Sequence, residues 1–600
     1  MTVLQVPRIY FRGKISWDPI VTNNLTQLYD LDTSRPNFAG RTVAQYREAA
    51  RLAVDNGEGN WNPHGTHRST FFETTVTGVD RGEGVSEADA LVGQPVIQTG
   101  MLVDLNPLTA VTSQLFFDRL SLGIEGGSQI LAPAGYRYTA RNINFGRNTG
   151  YQVIAGVASV NWQTSFAKAD LRLAARGSKI IEAFSKALQK DEVLGLTVRF
   201  NAYRTTYFDS PAATDARERT LADRIAAGGF HPNPARSLVV GVVGLWCEGE
   251  PAHVPGDRFL VGGDHPLVSS AYAAVDGDSL VLDLSNSISE TGFDVEKADL
   301  GTLTVTARAC PPVQLGSIRY EDYARAAYEK NSGLVCLPLD AAQKAAALSA
   351  DLEVSAGGTP VLSERRFHAC ADTPNVYLEA GDLHSVALHV LDRGKPPAVP
   401  VKLTVAEVGG PALGPVVVST DARGKASVEL KGVQKGEWDQ MLLPWQDDSP
   451  PEVPAQLDPT QSAYFSVRTM PTDDEVAKLP PTWENVFAQV LRNWNALAPC
   501  MDNWLRLNDR QQCEAYAPLL KRLTSRSEFE RFRYMPVTRD LTTGERTLLH
   551  RWCDAVIAKQ VKAKAEARAA AAPQPQADTQ ADTKVPSSRK KRRIREARPE

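Results

Sequence analysis

Val3-Leu4-Gln5-Val6-Pro7-Arg8-Ile9-Tyr10-Phe11-Arg12-Gly13-Lys14-Ile15-Ser16-Trp17-Asp18-Pro19 stands almost at the start of the chain. Ile9, Phe11, Ile15 and Trp17 share one parity, and Arg8, Tyr10, Arg12, Lys14 and Ser16 share the other. That two-residue period predicts a half-buried strand. Pro7 falls where such a strand starts and Gly13 where it bends. A chain that opens on a core strand ties its N-terminus into a sheet. Ile9 and Phe11 are therefore expected to face a core. Arg8, Tyr10 and Arg12 are left on the opposite face, which is either solvent or the polar wall of a pocket. Tyr10 and Arg12 are ligand-binding candidates on the second reading.

Working outward, residues 42–56 form an amphipathic helix with Val43, Tyr46, Ala50 and Val54 on one side. A polar, glycine-rich stretch (55–70) follows. Residues 71–76, 96–104, 114–122, 151–162 and 196–208 are β-rich and separated by Gly, Asn and Asp clusters, a pattern of sandwiches and barrels rather than βαβ units. Helices interrupt at 178–189 and 217–227. Strands resume at 238–246, 258–261, 279–284 and 303–307. Residues 320–330 and 340–349 read as two surface helices.

From about 352 only short strands remain, at 382–391, 401–408, 416–419 and 426–430, and they suggest a small Ig-like sandwich. From 471 the period becomes helical. Trp483, Val486, Phe487, Val490, Leu491 and Trp494 form one apolar stripe. Thr542-Thr543-Gly544-Glu545 has the form of a capping box. Residues 566–588 are rich in Ala, Gln, Pro and Asp without aromatics, a composition that cannot offset chain entropy by burial.

The expected fold class is thus multidomain, mainly β with α. It comprises a β-sandwich or barrel-like N-terminal region (1–318), a helical connector (319–351), an Ig-like β-sandwich (352–470), a small helical domain (471–565) and a disordered basic tail (566–600).

Composition narrows the function. The chain has 600 residues, 42% hydrophobic and 23% charged, as soluble globular proteins do. No secretory leader is visible, and the longest apolar run, 238–247, is half of what a membrane helix needs. The expectation is a cytoplasmic protein with no membrane partner. Seven cysteines lack any CxxC spacing, which argues against a zinc knuckle and a disulfide framework. The net charge of −4 hides an asymmetry, because the last twelve residues carry seven basic and two acidic side chains. The body is acidic and is no nucleic-acid surface. Only the basic cluster that opens on Arg589 and closes on Arg598 could meet nucleic acid, and weakly, since it has no aromatics for stacking.

Several titratable clusters stand out in the sequence. His64 and His67 lie three apart in a Gly/Pro loop, but no Cys, Asp or Glu stands within the next five positions to complete a metal site. His67 is kept as a ligand-facing candidate, and no metal is expected. Glu250 and His253 have Glu-x-x-His spacing, which Pro251 and Pro255 deny a helix. Glu364, His368, Cys370 and Asp372 could supply a Cys–His pair only if brought together in space. His384 and His389, at odd spacing on one strand, should face opposite ways. His550 is expected at the surface of the last helix. No Gly-x-Ser-x-Gly, P-loop or dinucleotide fingerprint is present, and the catalytic residues stay unassigned.

The opening Pro7-Arg8-Ile9-Tyr10-Phe11-Arg12-Gly13, with Thr22-Asn23-Asn24 after it, resembles the N-terminus of the VioB/RebD family of violacein and rebeccamycin biosynthesis. Weaker echoes follow at 67–76, at 240–246 with Gly249-Glu250-Pro251, at 258–261 and at 282–287, so the resemblance covers about 1–310. It implies secondary metabolism, chemistry on tryptophan-derived imines, and an association with haem. The C-terminal half departs from the family, because no helix carries inward carboxylates or Glu-x-x-His. No catalytic residue is therefore carried over.

Two functions follow as expectations. The first is an accessory binding or scaffold protein built on a VioB-like N-terminal region, taking a protein partner or a small aromatic ligand. The alternative is a biosynthetic enzyme of the oxidative imine-coupling type acting on an aromatic amino-acid-derived intermediate.

Overall fold

The computed structural model describes residues 3–17, 27–55, 67–106, 112–133, 135–144, 159–206, 235–291, 296–408, 415–432, 435–446 and 449–571. The expected helix at 217–227, His64 and the basic tail from 572 onward lie outside them. Strand outweighs helix and the strands fall into several sheets, as the patterning predicts.

The first unit is a closed barrel of eight strands: β1 (Arg8–Trp17), β2 (Arg68–Asp80), β3 (Val96–Asp104), β4 (Ser113–Gly123), β5 (Arg137–Asn144), β6 (Ser159–Ala167), β7 (Val193–Thr206) and β8 (Ala235–Cys247). Each strand pairs antiparallel with the next, and β8 returns to β1, with Phe11 opposite Gly241. It is an up-and-down meander, which closure leaves without an edge.

Barrels of this strand number have an interior just wide enough to be filled by side chains or to hold one small ligand. Here it is filled. Ile9, Phe11, Ile15 and Trp17 point inward as their parity predicts, and meet Phe71, Phe117, Tyr138, Trp162, Phe166 and Phe200. Trp17 stacks on Trp162 at 5.6 Å, and Phe71 meets Phe200 edge-on at 5.2 Å. Each such pair adds about 0.5–1.5 kcal/mol beyond its buried area. Helix α1 (Lys179–Ala187), capped by Ser178, adds Ile180, Ile181 and Phe184 to this core.

The even-numbered face of β1 meets a second sheet. Eight strands between Arg258–Gly262 and Thr359–Arg365 form it, so it straddles the boundaries expected at 318 and 351. Arg199 on β7 fastens the two sheets with charge-assisted bonds, its Nη1 donating to Asp283 at 3.1 Å and its Nη2 to Asp257 at 2.5 Å. Buried pairs of this kind fix geometry more surely than they add stability.

The region 367–470 is a two-sheet sandwich of three and five strands sharing one core around Val386, Leu388, Leu403, Phe465 and Val467.

Helices cover the other side. The expected stripe runs over 483–497, with Val486, Val490, Leu491 and Trp494 buried. A π turn at Phe487–Leu491 interrupts the α-helix. The helix Val43–Asp55 packs Tyr46, Ala50 and Ala53 on its neighbours Leu28 and Tyr29 and on the distant Ala496 and Leu497. The capping box forms as read: Glu545 N donates to Thr542 Oγ1 at 3.2 Å, and Thr542 N donates to Glu545 Oε2 at 3.1 Å. The helix it opens, Thr543–Ala571, runs past the expected boundary at 565. Among the described residues, no helix is long and apolar enough to cross a membrane.

Candidate ligand cavity between the barrel and the helices

His67 stands one residue before β2. Its φ of +57° is left-handed, a region that His enters more readily than most side chains. That turn lets the residue meet Leu102 twice: Leu102 N donates to the His67 carbonyl at 2.8 Å, and the His67 Nδ1 lies 3.0 Å from the Leu102 carbonyl oxygen. A carbonyl only accepts, so Nδ1 carries the proton and Nε2 is left with its lone pair. Nε2 has no hydrogen-bond partner among the described residues. Burial pushes the imidazole pKa down to about 3; the Leu102 bond opposes that and the nearby Arg539 cation adds to it. The ring is neutral at physiological pH.

His67 lines a cavity of about 330 Å³, at the small end of ligand pockets, which run from about 300 to 1,000 Å³. The barrel contributes His67, Arg68 and Met101, with Met101 paired opposite Arg68 in the β2–β3 register. The stretch 491–507 contributes Leu491, Trp494, Leu497, Met501, Trp504 and Leu507. Leu520, Leu523 and Thr524, then Met535, Val537 and Thr538, and finally Leu549 complete the wall. Trp504 is 43% exposed and meets Tyr516, 44% exposed, edge-on at the rim.

Buried polar groups hold the wall from behind. Asp540, 1% exposed, accepts from Trp494 Nε1 at 3.2 Å, Thr538 Oγ1 at 2.5 Å and Tyr29 OH at 3.1 Å. Arg468 Nη2 donates to the Tyr29 oxygen at 2.8 Å. At the other end the Thr524 hydroxyl donates to the Leu520 carbonyl at 2.8 Å and lies 2.8 Å from His550 Nε2. His550 is thus half-buried behind the cavity rather than a plain surface residue.

Among the described lining side chains, only His67 and Arg68 are charged or basic. Arg68 is exposed and has no ion-pair partner among the described residues. The arrangement offers apolar walls, two indole faces, one buried acceptor and one cation at the rim. It suits a flat, mostly apolar molecule with one N–H donor and an acidic end. Haem fits it poorly. His67 has the free ring nitrogen of an axial ligand, but the volume suits a bicyclic ring rather than a tetrapyrrole.

The structure separates the other candidates. Tyr10 is 1% exposed and packs with Phe259, Tyr272, Val281 and Leu334 of the second sheet. The face it shares with Arg8 is therefore neither solvent nor a pocket wall, because the barrel's outer surface is covered there. Burial pushes the Tyr10 hydroxyl pKa far up. Arg12 is half-exposed and ion-paired with Glu329. Neither approaches His67. Cys370 stands opposite His389 in the strand register, and His389 Nε2 is 2.6 Å from Asp372 Oδ1. His368 instead bonds the Pro255 carbonyl at 3.1 Å. Burial pushes the Cys370 thiol far above its usual range, an environment of inert thiols. His384 is exposed and His389 buried, the opposite facing that their spacing predicts. Glu250 accepts from Cys247 N at 2.7 Å, and His253 Nδ1 lies 3.0 Å from the Thr164 hydroxyl. Trp494 was legible as part of a buried stripe, but nothing local marks Met101, Met501, Trp504, Met535 or Asp540 as its companions.

Fold and site together define a multidomain β-rich protein, a filled meander barrel flanked by a second sheet, a sandwich and helices, with one apolar cavity at the barrel's side. Over 387 residues the sequence is 25% identical to 2-imino-3-(indol-3-yl)propanoate dimerase of Chromobacterium violaceum, a match covering 61% of this chain and 34% of that protein. The chain thus spans about a third of the length of the curated relative it matches, and the likeness is a VioB-like resemblance. No protein-family profile matches it. Among solved structures, the CARDB domain of PF1109 from Pyrococcus furiosus is 16% identical with a TM-score of 0.13, covering 17% of this chain and 87% of that one. Trypsin-activated alpha-2-macroglobulin from Escherichia coli is 9% identical with a TM-score of 0.14, covering 78% and 29%. Neither likeness bears on function.

Proposed function

We propose that this chain is a cytoplasmic accessory protein of secondary metabolism that binds and shelters a small aromatic, amino-acid-derived molecule in the cavity beside His67. One observation carries the reading: an apolar cavity walled by Trp494 and Trp504 with a buried, neutral hydrogen-bond acceptor on His67. An aromatic ring would lie between the indole faces, with a ring N–H on His67 Nε2 and an acidic group at Arg68. The relative's name supports the ligand class, since it describes a protein that dimerises an indole-bearing imino acid.

The test is a tryptophan-fluorescence titration of the full chain with indole-3-propionate. Ala498, on the cavity wall, is replaced by Phe to fill the space. The expected result is saturable quenching in the wild type, lost in Ala498→Phe without loss of the thermal transition. Equal binding by both proteins would remove the cavity as the site.

The relative's name also favours a second reading, in which the chain takes part in imine coupling itself. Supplied with an amino-acid oxidase and tryptophan, the chain alone would then form a coupled dimer. Recovery of unchanged imine and its hydrolysis product would leave the sheltering role.

A further inference from the structure

We propose that the junction between the barrel and the five-stranded sheet is a binding site for a free α-amino acid, with Arg141 holding its carboxylate, Asp439 its ammonium group and the Asn375 amide bridging the two. Asn375, Ser466 and Asp439 stand side by side on the strands Asn375–Glu379, Tyr464–Met470 and Gly436–Trp445, paired in register. Side chains paired in this way share one face of a sheet. Tyr464, two residues from Ser466, has the same parity, and the Arg141 guanidinium of β5 lies over its ring, 4.7 Å from the centre. The row therefore faces the barrel. Arg141 Nη2 and Ser466 N also share one acceptor, the Pro374 carbonyl, at 3.4 and 2.9 Å. That puts the cation beside Asn375 and Ser466. A bulge aims it there. Between the pairs Arg141–Asn161 and Asn144–Ser159, β5 has one residue more than β6, and Asn142 is left-handed with a φ of +52°. Bulges re-aim side chains and are common beside functional sites.

The two charges at this junction are not spent on one another. Arg141 is 8% exposed and donates to the Ala140 and Pro374 carbonyls and to Tyr464, with no ion pair among the described residues. Asp439 is near enough for Arg141 to act on its carboxyl, yet it too has no ion pair among them. Ser466 Oγ donates to its Oδ1 at 2.6 Å, and its Oδ2 has no hydrogen-bond partner among the described residues. Asn375 is 1% exposed, and neither atom of its amide has a partner among them. Opposite charges buried without pairing are costly, and a zwitterion satisfies both at once. An anion alone would leave Asp439 unmatched, and a cation alone would leave Arg141 so. The amide gives an acceptor to the ammonium group and a donor to the carboxylate. Arg141 lies over Tyr464 and Asp439 on Ser466, two residues apart, so the ligand's charges must be close together, as they are on the Cα of an amino acid. The neighbouring charges do not compete. Arg468 spends its guanidinium on oxygens of Leu105, Tyr29 and Ser34. Glu437, pushed up to about 8 by burial, is neutral at physiological pH and accepts from Asn106 Nδ2 at 3.0 Å. Asp439 is half-buried and gives access from solvent. None of these residues lines the cavity beside His67, and the inference does not depend on the aromatic-ligand reading.

The experiment is saturation-transfer difference NMR on the full chain with pools of the proteinogenic amino acids, followed by titration of the one that responds. A saturable signal is expected from at least one amino acid. Its N-acetyl derivative, which lacks the ammonium group, and its amide, which lacks the carboxylate, should give none. Asp439→Asn keeps the shape and the acceptor for Ser466, and should weaken binding about tenfold or more, as loss of a hydrogen bond to a charged group does. Arg141→Met should do the same; if it fails to fold, Asp439→Asn alone decides. Ala498→Phe, which fills the cavity beside His67, should bind as the wild type does. No saturable signal from any pool would overturn the proposal, as would equal binding by Asp439→Asn and wild type. Loss of binding in Ala498→Phe would place the amino acid in the other cavity and overturn it too.

Discussion

Asp540 is the single side chain on which the cavity wall hangs, and its replacement by Leu should loosen the segment that carries Trp494. The carboxylate takes three donors, two on Oδ1 (Trp494 Nε1 and Thr538 Oγ1) and one on Oδ2 (Tyr29 OH). Thr538 is half-buried and can turn to water. Tyr29 and Trp494 are buried and cannot. A hydrogen bond to a charged group contributes about 1.5–3 kcal/mol, and an orphaned buried donor costs about 1–3 kcal/mol. Two orphaned donors near the middle of that range amount to about 3–4 kcal/mol. Asn behaves differently. Its carbonyl in the Oδ1 place keeps Trp494 and Thr538, but its amide in the Oδ2 place leaves the Tyr29 O–H without an acceptor, as Leu does, so the two variants differ by the Trp494 donor, about 1–3 kcal/mol. Both variants give up the charge opposite Arg468, so that loss cancels in the comparison.

Several cores unfold within one chain, so a single global transition is the wrong readout. Amide hydrogen exchange over Arg492–Leu497 reports the local opening instead. A difference of about 2 kcal/mol between the variants is roughly a thirtyfold difference in exchange. Asp540→Leu should exchange that much faster than Asp540→Asn, and should need more indole-3-propionate for the same quenching. Equal protection in the two variants would show that packing rather than the carboxylate holds Trp494, and the reasoning would be wrong.

Two further outcomes are expected. At Gly241 an added Cβ would lie 2.1 Å from Phe11 Cζ, inside a barrel with no room for the ring to retreat; Gly241→Ala should cost about 1–3 kcal/mol, read as faster amide exchange over Arg8–Trp17 and Ala235–Cys247, and unchanged exchange would mean the interior is looser than described. The second concerns pH: His67 has a folded pKa of about 3 against 6.5 unfolded, so the unfolded state binds more protons between those values and this residue's share of stability, full above pH 6.5, is lost as pH falls toward 3. Glu250, Glu437 and Glu545, pushed up to about 8 by burial, act with the opposite sign. The comparison is therefore between wild type and His67→Asn, whose stability difference should shrink by up to about 1.4 kcal/mol per pH unit between pH 6 and 4; a pH-independent difference would mean that His67 is not buried neutral.

The opening strand shows how far sequence alone reaches. Its period correctly assigned Ile9 and Phe11 to the core, where Ile15 and Trp17 of the same parity also lie, because alternation is a local property of a strand. It could not say what covers the other face, because the second sheet on Tyr10 comes from residues beyond 258. Local rules likewise found the capping box at 542–545 and the stripe at 483–494. They missed closure of the barrel through Gln114 opposite Thr139 and the docking of Val43–Asp55 on Arg492–Leu497. No periodicity encodes contacts between such distant segments. The cavity is an extreme case: its walls are drawn from 67 to 549, so only His67, a polar residue in an otherwise unremarkable loop, gave any local sign.

An up-and-down barrel of eight strands could have held a ligand inside, and this one does not, because its aromatic residues fill the interior. That filling changes what the outside can do. A solid barrel presents β2 and β3 as an unyielding surface, and His67 is locked to that surface through both its carbonyl and its ring. Most of the facing wall is made of short segments, a π turn, a 3-10 turn and a helix of seven residues, which pack on Leu549 of the long helix Thr543–Ala571 and are joined through buried polar contacts such as Asp540. Low-stability elements of that kind open first. On the proposed ligand-binding reading, a ligand would enter by displacement of these short segments, past Trp504 and Tyr516, while the acceptor on His67 stays fixed. Specificity then belongs to the barrel and access to the helices, so Asp540→Leu should speed entry and exit of a ligand while His67→Asn should change which ligand is held.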